Sequence, residues 1–432
     1  MANFIRRVNA HSATLQRPGI YNGFAGPKLF LSAKPMPSPP LFKYYLAPAG
    51  QIVPKDDPIW SAPIPMNRKP SPENTAVSIS HGDCFSAVRN FLEKDGFNGF
   101  VRVLAQHLGR DVTLDEINEI RIFLEKHGEF YHPARIETGL HGISVSFVVN
   151  VALPGAGKNK IQNEFRLLQK LRANFPFSYL PKVYGLDRIF LKGGNLEVRM
   201  FLGEWFEGFC EFHMSRDPAD GTFKIVVWDP EQGNYFLTAD QCRELYRKAA
   251  AILALYYNIE TFEQISSWHH AAGDFVVRCQ PGGIDLKLIT VRQYGPMFVH
   301  SQEETTFDAP DDQTLFDALL VFFLNLSIRM RLDRLDGVGE IVWADTIAVE
   351  QTLKGVLEAL ALKPPVARFK APLADGFRGY LRSCSRRELY DLNRALVNTY
   401  HPRSPDVPVI KKHLKQHADD LYHAIQQQGE FF

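Results

Sequence analysis

Residues 143–172 constrain the fold of this 432-residue chain more than any other stretch. Ile143, Val145, Phe147, Val149, Val151 and Leu153 alternate with Ser144, Ser146, Val148, Asn150 and Ala152. Successive side chains of a strand point to opposite faces, so this stretch reads as a strand with one wholly apolar face. A turn of Pro154, Gly155, Ala156 and Gly157 follows, and the period then changes. Ile161, Phe165, Leu168 and Leu171 fall at i, i+4, i+7 and i+10, the apolar stripe of a helix over about 160–172. A strand and a helix that each carry an apolar face must bury those faces, which calls for a sheet with a helix packed on it. Glu164 sits on the helix stripe, three residues after Ile161 and four before Leu168. A buried carboxylate is costly unless it is paired. Glu164 is therefore either an acid at the stripe's edge that reaches water or a partnered acid that faces a cleft.

The rest of the chain is read around this unit. With 45% hydrophobic and 22% charged residues it has ordinary globular composition and length for two or three core-bearing units. No apolar run reaches the ~18–20 residues of a membrane span. The greasiest stretch, 315–328, is broken by Asp317 and Asn325 and reads as a buried helix. No membrane partner is expected. Cys84, Cys210, Cys242, Cys279 and Cys384 form no CxxC pair and are odd in number, which suits a reducing cytoplasm. The net charge of +1 argues against general polyanion binding. Residues 1–55 nevertheless hold seven basic side chains and no acid, the composition of a transit peptide, a nucleic-acid arm or a solvated arm lying on the body. The last is the expectation.

Residues 1–75 hold 13 of the 28 prolines and read as an extended or irregular arm, packed through Phe42, Tyr44, Tyr45 and Trp60. Residues 76–130 read as a helical extension. Thr113 and Glu116 form a capping box ahead of Ile117, Ile120 and Leu124, with Gly128 as the stop. Strands are expected at 196–205, 223–228, 275–278 and 286–291. Thr238 and Gln241 cap a helix running to about residue 257. Beyond 310 the pattern is mostly helical.

The run from Ala152 to Asn159 imitates a phosphate cradle, with glycines and Lys158 between strand and helix. Ala152 stands where the first glycine belongs and Asn159 where the metal-binding hydroxyl belongs. The stretch 224–229 could imitate the acidic strand that accompanies such a cradle. No run of alternating strands and helices surrounds these pieces, so a plain strand-to-helix turn is expected.

The order of segments carries a resemblance. The strand 148–152, the helix 163–169 with Glu164, and the stretches 175–185 and 196–208 resemble the small lobe and hinge of protein kinases. The capped helix at 238–257 falls where kinases place the helix before the catalytic loop. Residues 268–277 resemble the catalytic loop and the strand after it. Residues 286–292 resemble the strand leading to the metal-binding Asp. The aminoglycoside-phosphotransferase branch is similarly suggestive. The resemblance covers about 160 residues and implies an α+β, two-lobed protein-kinase-like fold. The Pro-rich arm (1–75) and helical extension (76–130) would precede a small lobe and hinge (131–208) and a mainly helical large lobe (209–432). ATP or another nucleotide would meet the hinge near Glu204 and Phe206, its phosphates would lie near Lys158, and Mg²⁺ or Mn²⁺ would accompany it.

The departures set the functional expectation. Kinases pair a strand lysine with the helix acid, and hold metal through a catalytic-loop Asn and a later Asp. Here Asn150 stands at the lysine position, with Lys158 or Lys160 as substitutes for it. His269 stands for the base Asp, Asp274 for the Asn and Thr290 for the metal Asp. A single hydroxyl does not replace a carboxylate on a hard cation. A pseudokinase or regulatory binding module, acting on a protein or small-molecule partner, is the expected function. The alternative is a divergent phosphotransferase, with His269 as base, Asp274 and His270 on a metal and Arg292 on the transferring phosphoryl group. A scaffold using the basic arm on nucleic acid is a third, less favoured reading.

Overall fold

The computed structural model describes residues 39–47, 50–64, 79–125, 131–152, 157–194, 196–269, 273–297, 312–365 and 371–427. The described chain opens with β1 (Leu41–Leu46), β2 (Gln51–Ile52), the single turn α1 (Pro58–Ser61), α2 (His81–Glu93) and α3 (Asn98–Leu108). Then come β3 (Ile117–Leu124), β4 (His132–Leu140), β5 (Ile143–Ala152), α4 (Gly157–Asn174), β6 (Val183–Leu191) and β7 (Leu196–Glu204). The seven strands form one sheet in the order β2-β1-β3-β4-β5-β7-β6. Strands β1 and β3 pair in parallel, and the other neighbours are antiparallel. The architecture is α+β.

The alternation on β5 sorts its two faces. Val145, Phe147, Val149 and Val151 join Val198, Met200 and Leu202 of β7 in a core under Phe85, Leu92, Phe100 and Leu104 of α2 and α3. On the other face Ala152 and Phe201 meet Ile161, Phe165 and Leu168 of α4. The Phe165 and Phe201 rings lie 5.8 Å apart. Burying each of these large side chains contributes about 1.5–3 kcal/mol. Elsewhere that second face is polar. Lys43, Glu119, Arg121, Glu137, Arg135 and Glu125 form a continuous ladder of ion pairs across β1, β3 and β4.

One expectation is corrected here. The helical extension ends at α3, and residues 117–124 form strand β3. The capping box of Thr113 and Glu116 does form, but it closes one 3₁₀ turn. A bulge between Ile117 and Glu119 shifts the register, so Ile117 and Ile120 are both buried although three residues apart. That bulge imitates a helical period. Within the Pro-rich arm, residues 41–46 and 51–52 are extended, as strands of the sheet. Its aromatic residues pack as the sequence suggests. Tyr44 lies edge-on to Trp60 at 5.0 Å, and Tyr45 stacks on Phe123 at 4.5 Å. Residues 1–38, 65–78 and 153–156 lie outside the described residues, and with them most of the arm and of the glycine loop.

The second part begins with β8 (Glu211–Arg216), β9 (Phe223–Trp228) and β10 (Tyr235–Phe236), a three-stranded sheet. Helix α5 (Ala239–Leu255) starts at the capping box of Thr238 and Gln241. Next are β11 (Glu263–Ser266), β12 (Phe275–Gln280), β13 (Gly283–Leu288) and β14 (Gln293–Pro296). Strands β12 and β13 form a hairpin, and β14 returns to pair with β11. Then follow α6 (Asp312–Arg329), β15 (Leu332–Arg334), β16 (Ile341–Trp343), α7 (Thr346–Ala361), α8 (Leu373–Ser383), α9 (Arg386–Asn398) and α10 (Asp406–Gln427). One core runs from α4 through α5 to these C-terminal helices. At its tightest point a Cβ on Gly355 of α7 would stand 2.1 Å from the Arg247 carbonyl oxygen of α5. No helix among the described residues is long and apolar enough to cross a membrane.

Candidate functional site

Glu164 faces inward. It is 3% exposed, on the same face of α4 as Ile161 and Leu168. Its Oε1 accepts from the Thr290 hydroxyl and from the Val291 amide, the latter at 3.3 Å. Its Oε2 has no hydrogen-bond partner. The Thr290 and Tyr131 hydroxyls favour the charged form, as does the positive charge of Arg292. Burial outweighs these and pushes the carboxyl up to about 7. Of the two alternatives, the partnered acid is the one observed. Its partners are hydroxyl and amide donors, not the lysine that kinases use. Lys158, a proposed substitute, pairs with Glu197 of β7 at 3.5 Å. Asn150 is half-buried on β5, between Pro133 of β4 and Phe201 of β7.

Asp274, at the entry to β12, is 1% exposed. Arg292 grips it with both arms of its guanidinium. Nη2 donates to Oδ1 at 2.6 Å, and Nη1 donates to Oδ2. Such bidentate, charge-assisted bonds are among the strongest a side chain makes. Oδ2 also accepts from the His269 amide at 2.7 Å. Arg292 Nη1 donates to the Ser267 carbonyl at 3.0 Å as well, and the Arg292 carbonyl accepts from Asn163 of α4 at 3.2 Å. Burial raises the Asp274 pKa, with Arg292 pulling it back.

The local chain explains why these groups meet. The β12–β13 hairpin pairs Phe275 with Leu288, so Asp274 lies beside Ile289, whose amide donates to its carbonyl at 2.8 Å. Residues 289–292 then run along α4, where Thr290 and Val291 meet Glu164. The loop before β12 requires glycine. Gly273 has φ +73°, and a Cβ there would stand 2.9 Å from a carboxylate oxygen of Glu211.

His269 Nε2 lies 3.1 Å from Arg329 Nη2, which also donates to the Trp268 carbonyl, while Arg329 Nη1 pairs with Asp406. A ring nitrogen that accepts from a guanidinium is not available to take a substrate's proton. His270 lies outside the described residues. At the end of β7, Glu204 exchanges two bonds with Lys182: its amide donates to the Lys182 carbonyl at 2.8 Å and its carboxylate accepts from the Lys182 amide at 2.9 Å. Phe206 packs at 5.6 Å from Phe209, with the Lys287 ammonium 5.5 Å from its ring centre.

Glu164, Asp274 and Arg292 are thus brought to one place, together with Thr290, Ser267 and the His269 backbone. Tyr131, Asn163 and Arg329 join them without having been expected. The register of the hairpin, set by the turn at Pro281 and Gly282, could have placed Asp274 against residue 289 in advance. Nothing local marks Arg329, which comes from the end of α6.

The metal and nucleotide implied by the kinase resemblance can be tested against these groups. Both Asp274 oxygens are taken by Arg292, and the Thr290 hydroxyl is taken by Glu164. Among the described residues, no three His, Cys, Asp or Glu side chains are placed to hold a metal ion. The groups present do not fit a kinase metal site. No protein-family model matches the chain, and no curated protein is significantly similar to it.

Proposed function

We propose that the chain is a kinase-like protein whose nucleotide cleft has lost its metal chemistry and that acts as a regulatory binding module. The order of elements supports the kinase-like part: β5, α4 with its inward acid, β6 and β7, then, after the sheet β8–β10, the capped α5 and the β12–β13 hairpin with its flanking loops. The observation that carries the non-catalytic part is the buried Asp274 with both oxygens on Arg292. Metal-assisted phosphoryl transfer needs carboxylate oxygens free for the cation and a base free for the acceptor hydroxyl. Here the one candidate carboxylate is committed to an internal cation, and the candidate base His269 is engaged by Arg329.

Thermal-shift and turnover measurements with ATP, with and without Mg²⁺ or Mn²⁺, test the reading. A ligand that binds the native state raises the apparent Tm by mass action. The expected result is no turnover, and no Tm rise with ATP and metal beyond that with ATP alone. Metal-dependent ATP turnover that Asp274→Ala abolishes while leaving the fold intact would establish the phosphotransferase reading instead.

A further inference from the structure

We propose that a notch beside the first four residues of β5 receives the free N-terminus of a partner polypeptide as an added strand. Strand β5 begins at Ile143, but β7 reaches along it only as far as Phe147, which pairs with Glu204. Among the described residues no strand pairs with residues 143–146 on that side. A cavity of about 580 Å³ occupies the missing place, a ligand-sized volume. It is lined by His107 and Leu108 of α3, by Trp205 and Glu207 just past β7, and by Glu137 and Arg121 of the polar face.

Strand register decides which backbone groups face the notch. In an antiparallel sheet, successive residues turn their N–H and C=O groups to opposite neighbours. Only His141 and Gly142 join Leu140 to Ile143, and the pair that closes such a two-residue turn is hydrogen-bonded. Ile143, Val145 and Phe147 therefore spend their backbone groups on β4. The far side agrees, because the Glu204 amide donates to the Lys182 carbonyl at 2.8 Å, away from Phe147. Ser144 and Ser146 consequently turn their N–H and C=O groups toward the notch. Strand addition uses such a row of open donors and acceptors.

Charge selects the direction of the occupant. The slot is closed at one end by β7 itself and opens at the other past the His141–Gly142 turn. A segment antiparallel to β5 therefore starts inside the slot, whereas a parallel one ends there. The ladder of ion pairs beside the notch is balanced, with Lys43, Arg121 and Arg135 against Glu119, Glu125 and Glu137. Exposed Glu207 adds a carboxylate with no ion pair among the described residues. An α-ammonium group is attracted there and an α-carboxylate repelled. Side chains of the occupant alternate as those of β5 do. Those beside Val145 and Ile143 lie on the α3 side, and the one beside Ser144 lies on the polar side.

The probe is the peptide Val-Ser-Val-Ser-Gly with a free amino terminus and fluorescein at its C-terminus, titrated with the full chain and followed by fluorescence anisotropy. One peptide should bind per chain. Acetylating its amino terminus should weaken binding by about tenfold, and Glu207→Gln should remove that difference. Methylating the amide of its second residue, which faces Ser144, should also weaken binding by about tenfold. Methylating the amide of its third residue, which points away from β5, should leave binding unchanged. Ser144→Pro deletes one donor of the slot and leaves the bonds to β4 intact, so it should lose the peptide and keep the wild-type Tm. If that variant fails to fold, the two methylated peptides decide the question on wild type. A wild type that does not bind the free peptide, or that binds all four peptides alike, overturns the proposal. So does a folded Ser144→Pro that binds as wild type does. None of these measurements involves ATP or metal, so this failure and failure of the kinase-like reading are distinguishable.

Discussion

Replacing Glu164 with glutamine isolates the cost of keeping a carboxyl buried. The Glu164 carboxyl is pushed from its ordinary 4.5 up to about 7, chiefly because burial disfavours the charged form. A folded-state pKa above the unfolded one contributes stability that is fully present below pH 4.5 and is lost as pH rises through about 7. The gap of about 2.5 pH units, at ~1.36 kcal/mol each, amounts to about 3 kcal/mol. No discount for solvent applies, because the side chain is buried. Glutamine does not titrate, and its carbonyl oxygen accepts from Thr290 and Val291 as Oε1 does. Glu164→Gln should therefore match wild type at about pH 4 and exceed it by about 3 kcal/mol at pH 8. Urea unfolding of both proteins at the two pH values measures this, from the midpoint shift at constant slope. Every other titrating group is common to both proteins, so the difference removes them. A difference that is flat with pH would refute the reasoning. A variant less stable than wild type at pH 8 would refute it more directly, by showing that Arg292 holds Glu164 ionised.

Three further substitutions test the packing of the second part of the chain. Gly355→Ala would put a Cβ against the backbone of α5, which cannot yield as a side-chain tip can. It should lower stability by at least the ~1–3 kcal/mol of an overpacked core, and an unchanged Tm would show that the helices separate freely. Asp420→Asn should cost about 3–5 kcal/mol in urea unfolding, because it leaves Arg331, 4% exposed and bonded to Asp420 at 2.7 Å, as a buried charge without its partner. Arg331→Met combined with Asp420→Leu should recover most of that loss, and a double variant no better than the single would refute the account. Gly273→Ala should destabilise the loop before β12 by about 1–3 kcal/mol through its left-handed φ and its contact with Glu211, as seen in a lowered Tm.

Local periodicity was a sound guide where one face of an element is buried and the other is not. The alternation on β5, the stripe on α4 and the box that caps α5 all appear at their sequence positions. It misled at residues 117–124. There a bulge, which depends on pairing with β4, spaced two inward isoleucines as a helix would. Strands β2, β15 and β16 were illegible for a different reason. Each has only two or three residues, so no period has room to show.

The candidate site divides the same way. The sequence alone determined that Glu164 lies on a buried stripe, because helix geometry is fixed by the backbone and the stripe is read within one turn. The proposed kinase resemblance further implies that a base, a lysine and a metal acid are missing from their places, because those are identities at positions. Only the tertiary structure decided what fills the gap. The β12–β13 hairpin folds residue 289 back onto Asp274, residues 290 and 291 meet Glu164 of α4, and the cation on Asp274 proves to be Arg292. Partners of that kind are chosen by long-range pairing and burial, and no local pattern encodes them.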